Sequence, residues 1–216
     1  WTAISARASR TRLSASAGST VYDYRMYTVP ALMTEQDLYD SLVSQLGPYD
    51  TTVWRAYRYH NGSYIEFPYF LLDAPDTTIT GVAIWLLIRD GATLSFNGLS
   101  SSVASEIPIG LDAGWNMVGD PFTSAVSWSS VMVVDFDPVT LGMIGSPEST
   151  STSSLIGNTL YFYDGATGYV SASSLEPGKG YWVYNAAGHY IELHVQGPGG
   201  ALKPGASGRL SGLQVA

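Results

Sequence analysis

Leu175-Glu176-Pro177-Gly178-Lys179-Gly180-Tyr181-Trp182-Val183-Tyr184 decides how the rest of this chain is read. Pro177-Gly178 and Lys179-Gly180 supply turn geometry, and the residues after them favour a strand whose backbone approaches its neighbour closely. Tyr181 and Val183 fall on one face of that strand, Trp182 and Tyr184 on the other. Upstream, Leu160-Tyr161-Phe162-Tyr163 alternates in the same manner and runs into Asp164-Gly165, a strong hairpin signal, with Gly168-Tyr169-Val170 as the returning strand. Before these stands Gly114-Trp115-Asn116-Met117-Val118-Gly119-Asp120-Pro121-Phe122.

The same order of elements occurs once more, nearer the N-terminus. Tyr24-Arg25-Met26-Tyr27-Thr28-Val29-Pro30 stands where the Trp115 segment does, and Thr52 to Tyr59 where the Tyr161 strand does. Asn61 to Glu66 matches the hairpin, and Gly81 to Ile88 matches the Trp182 strand without its Pro-Gly-Lys-Gly turn. The expected fold is mainly β: two tandem related antiparallel repeats, sandwich-like or barrel-like, over 21–105 and 106–196. One short helix is expected over 34–46, with Thr34 as N-cap, acids in its first turn, Leu38, Leu42 and Leu46 at fourfold spacing, and Gly47-Pro48 as its stop. Val126 to Val131 offers one or two turns at the matching place, and Ser146 to Ser154 reads as a Ser/Thr-rich loop. Extended arms flank the repeats: residues 1–20, and a Gly/Pro linker with a short strand over 197–216.

The Gly114-Trp115-Asn116, Tyr161-Phe162-Tyr163-Asp164-Gly165 and Leu175 to Val183 motifs together resemble a tandem β repeat of large secreted and surface proteins of bacteria. The resemblance spans residues 22–195, strong in the second half and degenerate in the first. It implies an extracellular, non-catalytic β module, and it brings neither active-site residues nor a ligand.

Composition agrees with an exterior location. Of 216 residues, 45% are hydrophobic and 12% aromatic, too apolar for a disordered chain, while only 13% are charged. The absence of Cys removes disulfides, thiolate chemistry and Cys-based metal sites. The longest apolar run, Val82 to Ile88, is too short to span a membrane. A first residue of Trp rather than Met fits a chain processed by signal-peptide removal and placed outside a cell or on its surface. Net charge is -8, yet Arg7, Arg10 and Arg12 make the first twenty residues basic, so a basic arm precedes an acidic body. Such a body repels a phosphate backbone, and nucleic acid is not an expected partner.

Catalytic constellations are missing from the sequence. There is no Gly-x-Ser-x-Gly elbow, phosphate loop or dinucleotide fingerprint, and Glu66, Glu106 and Glu176 show no pairing of the glycosidase kind. His60, His189 and His194 lack metal-ligand spacing; Asp135 and Asp137, with Asp120 or Asp164, could hold a Ca²⁺ through oxygen ligands, but read better as a solvated edge before Pro138. No cofactor, metal or catalytic residue is therefore expected. Trp54, Trp85, Trp115 and Trp182 look like repeated core contacts.

Two functions from different classes follow. In the first, the protein is a surface filament subunit, a head-to-tail homopolymer. The arm, through Ile4, Ala6, Arg7, Ala8, Arg10, Arg12 and Leu13, adds a strand to the next acidic copy. In the second it is a carbohydrate-binding or adhesion module that reads surface glycans with outward Tyr57, Tyr59, Tyr64, Tyr163 and Tyr169.

Overall fold

Alternation of side chains along the central strands organises the molecule into layers. The computed structural model describes residues 8–69, 78–99, 106–137, 139–140 and 142–197. Ile4, Ala6, Arg7 and the expected C-terminal linker and strand from residue 198 lie outside these, and of Ala8 and Arg10 only the backbone is described. The first half comprises β1 (Ala8–Ala15), β2 (Arg25–Thr28), α1 (Glu35–Leu46), β3 (Trp54–His60), β4 (Ser63–Glu66), β5 (Ala83–Ile88) and β6 (Ala92–Leu99). The second comprises β7 (Glu106–Leu111), β8 (Gly114–Gly119), β9 (Val126–Ser127), β10 (Met132–Phe136), β11 (Met143–Ser149), β12 (Leu160–Tyr163), β13 (Tyr169–Ala172), β14 (Ser174–Leu175), β15 (Gly180–Asn185) and β16 (Ile191–Gln196).

The fold is mainly β and sandwich-like, its described sheets antiparallel and none closed into a barrel. One inner sheet has the order β2-β5-β3-β4, and the other has the corresponding order β8-β15-β12-β13. Register makes the correspondence residue by residue. Trp85 stands between Met26 and Tyr57, as Trp182 stands between Met117 and Tyr161. Ile84, Leu86 and Ile88 of β5 enter the first core with Trp54, Phe67 and Phe96, while Ala83 and Trp85 point the other way. In β15, Tyr181 and Val183 likewise enter the second core, and Trp182 points away from it.

Those opposite faces meet. Met26, Ala83, Trp85, Met117 and Trp182 form a third cluster between the inner sheets. The Thr28 N–H donates to Gly178 O at 3.3 Å, and the Gly119 N–H donates to Gly81 O at 2.8 Å. By the register above, Thr28 corresponds to Gly119 and Gly178 to Gly81, so residue i meets j where j meets i, the mark of an internal two-fold axis. Glycine permits the approach: a Cβ on Gly180 would lie 2.6 Å from Ala83 Cβ and 2.9 Å from Met26 Cβ.

An outer layer covers each inner sheet. β1 pairs with β6 of its own chain from Ala8 opposite Leu99 to Ala15 opposite Ala92, and β7 pairs with β16 in the equivalent place. The N-terminal segment is extended, as its composition predicts, but over Ala8–Ala15 it is a strand of the first half rather than an appendage to it. Leu13, expected to reach a neighbouring copy, is buried in its own chain's core beside Leu94. Small side chains alternating with polar ones fit either docking, which is why the sequence did not distinguish them.

α1 completes the first core with Leu38 and Leu42. Thr34 and Asp37 cap it reciprocally, Thr34 Oγ1 accepting from the Asp37 N–H at 3.1 Å and Asp37 Oδ2 accepting from the Thr34 N–H at 2.9 Å. Buried Glu35 pairs with Arg58 of β3, tying the helix to the inner sheet. In the second half a 3-10 turn at Trp128–Ser130 holds the place of the helix, and β10 and β11 extend the outer sheet to β11-β10-β16-β7. β11 runs through Met143–Ser149, so the expected Ser/Thr-rich loop is a strand over its first part. Among the described residues no helix is long and apolar enough to cross a membrane.

Candidate functional site

Strand alternation that turns Trp85 and Trp182 toward the axis also turns tyrosines of β3, β4, β12 and β13 to the rim of the same interface. Two open clefts result. Cleft one, about 540 Å³, is lined by Tyr59, Gly62, Tyr64, Trp115, Tyr161, Tyr169 and Trp182. Cleft two, about 500 Å³, is lined by Tyr24, Arg55, Tyr57, Tyr64, Trp85, Tyr163 and Tyr169, with Val21 and Tyr22 at its edge. They share Tyr64 and Tyr169 and so form one continuous aromatic trough.

Symmetry relates the rings. In cleft one Tyr59 stands edge-on to Trp182 with centroids 4.8 Å apart; in cleft two Tyr163 stands edge-on to Trp85 at 5.4 Å. Tyr59 and Tyr64 are 5.1 Å apart, Tyr163 and Tyr169 5.2 Å. Trp115 meets Tyr161 at 5.9 Å, and Tyr24 meets Tyr57 at 5.8 Å. Exposure separates floor from rim: Trp182 and Trp85 are 7% and 8% exposed, against 56% for Tyr64, 53% for Tyr169 and 45% for Trp115. Each cleft thus has a fixed tryptophan floor held by its T-shaped neighbours and accessible ring faces above it.

Tyr57, Tyr64 and Tyr169 are neutral hydroxyls at physiological pH. Burial, then the nearby Tyr24 and Glu66, raises Tyr57 well above the ordinary tyrosine value; burial also raises Tyr64 and Tyr169. Each can donate as well as accept a hydrogen bond. Behind cleft two, Glu66 Oε1 accepts from Tyr49 Oη at 2.6 Å and from Arg55 Nε at 2.7 Å. Burial opposes ionisation of Glu66, but these bonds and one from Tyr57 outweigh it and hold its pKa below the ordinary value.

All five tyrosines expected to read glycans line the trough: Tyr59 in cleft one, Tyr57 and Tyr163 in cleft two, Tyr64 and Tyr169 in both. Of the tryptophans expected in repeated core contacts, Trp54 is buried in the first core, Trp85 and Trp182 are cleft floors, and Trp115 is a half-exposed wall. Only Trp85 and Trp182 occupy equivalent positions. Arg55 and Tyr161 were not foreseen in the site; an arginine two residues before Tyr57 on the same strand face was the available signal.

Other polar residues are engaged elsewhere. Asp135 Oδ1 meets His189 Nε2 at 2.6 Å, and Asp137 Oδ1 accepts from the Val139 and Thr140 N–H groups at 2.9 and 2.7 Å. His194 lies between Glu106 and Glu192, 2.6 and 3.0 Å away. Among the described residues no group of three His, Asp or Glu side chains is placed to hold a metal ion. Comparison of the chain with protein-family models, with curated proteins and with solved structures finds no match.

Proposed function

We propose that this protein is a carbohydrate-binding module of a cell-surface or secreted protein, and that it grips a glycan chain along the trough between its two halves. The observation that carries this is the pairing of two equivalent aromatic clefts into one groove with accessible ring faces at Tyr64, Tyr169 and Trp115. Sugar rings present apolar C–H faces to aromatic planes and hydroxyls to phenols, and a chain of repeating rings suits a site built twice. An acidic chain of net charge -8 argues against the other polymer that stacks on aromatic residues, single-stranded nucleic acid. The resemblance to bacterial surface repeats is in keeping with the same reading.

The test is binding to an array of immobilised neutral and acidic oligosaccharides, followed by titration of the strongest ligands in solution. Tyr64→Ala combined with Tyr169→Ala should weaken binding about tenfold or more, since both clefts lose a wall. Absence of binding across the array, or binding indifferent to both tyrosines, would sink the proposal.

Self-assembly by strand exchange is a second reading, favoured by one observation. Among the described residues β1 is joined in its sheet to β6 alone, along eight consecutive pairs, which is the geometry that a strand donated by another copy would use. Filaments seen by negative-stain imaging that vanish when residues 1–20 are removed would support it, and monomers in both samples would end it.

A further inference from the structure

The clefts are copies in their rings but not in their charge. Counting two residues back from Tyr57 and from Tyr161, Arg55 occupies in the first half the position of Thr159 in the second. By the register of β2 and β8, Arg25 likewise corresponds to Asn116. Both differences set a guanidinium over a tyrosine of cleft two, although Arg25 is not itself among the residues that line it. Arg55 lines it and is the only charged residue lining either cleft among the described residues. Its guanidinium lies over the Tyr57 ring at 5.2 Å, with Nε and Nη2 each 2.7 Å from Glu66 Oε1. Two of its five donors are thus used to orient it, and the side chain is 36% exposed. Arg25 lies over the Tyr163 ring at 5.9 Å, its Nη1 fixed on the carbonyl oxygens of Tyr22 and Tyr24 at 2.7 and 2.9 Å.

Neither carboxylate near these cations lines the cleft. Glu66 stands behind Arg55 rather than in the cleft, and Asp23 Oδ2 accepts from the Ser19 and Thr20 N–H groups at 3.0 and 2.9 Å. We infer that cleft two takes an anionic sugar, a uronic acid or similarly carboxylated ring, while cleft one takes a neutral ring of the same chain. This rests on the glycan reading above and adds to it both a ligand class and a direction along the groove. A carboxylate over cleft two would meet the outer donors of a guanidinium already stacked and oriented, the arrangement in which arginine recognises planar anions.

A soluble oligogalacturonate and its fully methyl-esterified form separate the possibilities, because the sugar rings are the same and a neutral methyl ester replaces each carboxylate. Titration followed by tryptophan fluorescence should show the acid binding about tenfold tighter than the ester, one charge-assisted hydrogen bond's worth, with the preference shrinking as salt is raised. The double variant Arg55→Met/Glu66→Gln removes the cation together with its partner, so neither charge is left unpaired, and circular dichroism checks that it folds. In it the acid and the ester should bind alike, while Tyr64→Ala/Tyr169→Ala weakens both. Equal affinity for acid and ester in the unaltered protein, or a preference that survives in Arg55→Met/Glu66→Gln, overturns the inference and leaves the glycan reading in place. No binding of either form or of any neutral oligosaccharide overturns both.

Discussion

The two halves share an inner sheet and differ in what covers it. Over the first lie β1, β6 and the two-faced helix α1; over the second lie the four strands β11-β10-β16-β7 and a single 3-10 turn. Leu38 and Leu42 fill in one core the role that Val126, Trp128, Val131 and Val133 fill in the other. Apolar cover is non-directional, so a helix and a pair of strands can substitute for one another there. The axial face tolerates less. Met26 and Met117, Trp85 and Trp182, and Tyr59 and Tyr163 are retained in register, because each must fit both its own sheet and its symmetry mate.

If β1 is the true counterpart of β7, removing it should cost the first half its outer sheet. A chain beginning at Gly18 would uncover Leu94 and Phe96 as well as lose Leu13, a loss beyond about 4 kcal/mol given the cost of a single buried leucine. A fall of about 10 °C or more in the thermal midpoint is expected. An unchanged midpoint would break the equivalence and make residues 8–15 an accessory arm.

A second contrast is chemical. Asp120 stands where the first half has Val29; it is fully buried, and only Oδ1 is bonded, accepting from the Phe122 N–H at 2.8 Å. Burial pushes its pKa up to about 7 from an ordinary 3.8. The folded protein then keeps a proton that the unfolded chain has already released. Stability from this group is complete below the unfolded value and declines toward about pH 7, by up to about 1.4 kcal/mol per pH unit. Asp120→Asn removes that dependence. Urea midpoints of the two proteins should diverge in the variant's favour between pH 4 and 7 and run parallel above; a constant difference would mean that Asp120 is ionised throughout.

The smallest effect sharpens the axis itself. Gly180→Ala places a methyl against Ala83 and Met26 and should cost about 1–3 kcal/mol by overpacking. Adding Ala83→Gly moves the methyl to the symmetry mate and should recover most of the loss, a coupling readable in a double-mutant cycle of denaturation midpoints. Strict additivity would mean that the two residues do not share one contact.

Much of this was legible in the chain because strand alternation and turn chemistry are local. Tyr181 and Val183 against Trp182 set two faces, Asp164-Gly165 marked a hairpin, and Thr34 with Leu38 and Leu42 marked the helix. Pairing across long separations was not legible. β1 meets β6 some eighty residues on, and its small and polar side chains fit a neighbour as well as their own chain. The tyrosines of the site could be named as outward, but their convergence into one trough required the reciprocal contacts of Thr28 with Gly178 and of Gly119 with Gly81. Arg55 went unnoticed because its meaning is relative: only alignment with Thr159 turns it into a difference.

A two-fold site built from separate identical chains would repeat every change in both clefts at once. Here both copies are encoded in one polypeptide, so a substitution at Arg55 leaves Thr159 untouched. The internal axis therefore supplies duplicate scaffolding while freeing each cleft to vary by itself, and a groove with two different ends would give the polymer ligand proposed above a reading direction that a symmetric dimer could not impose.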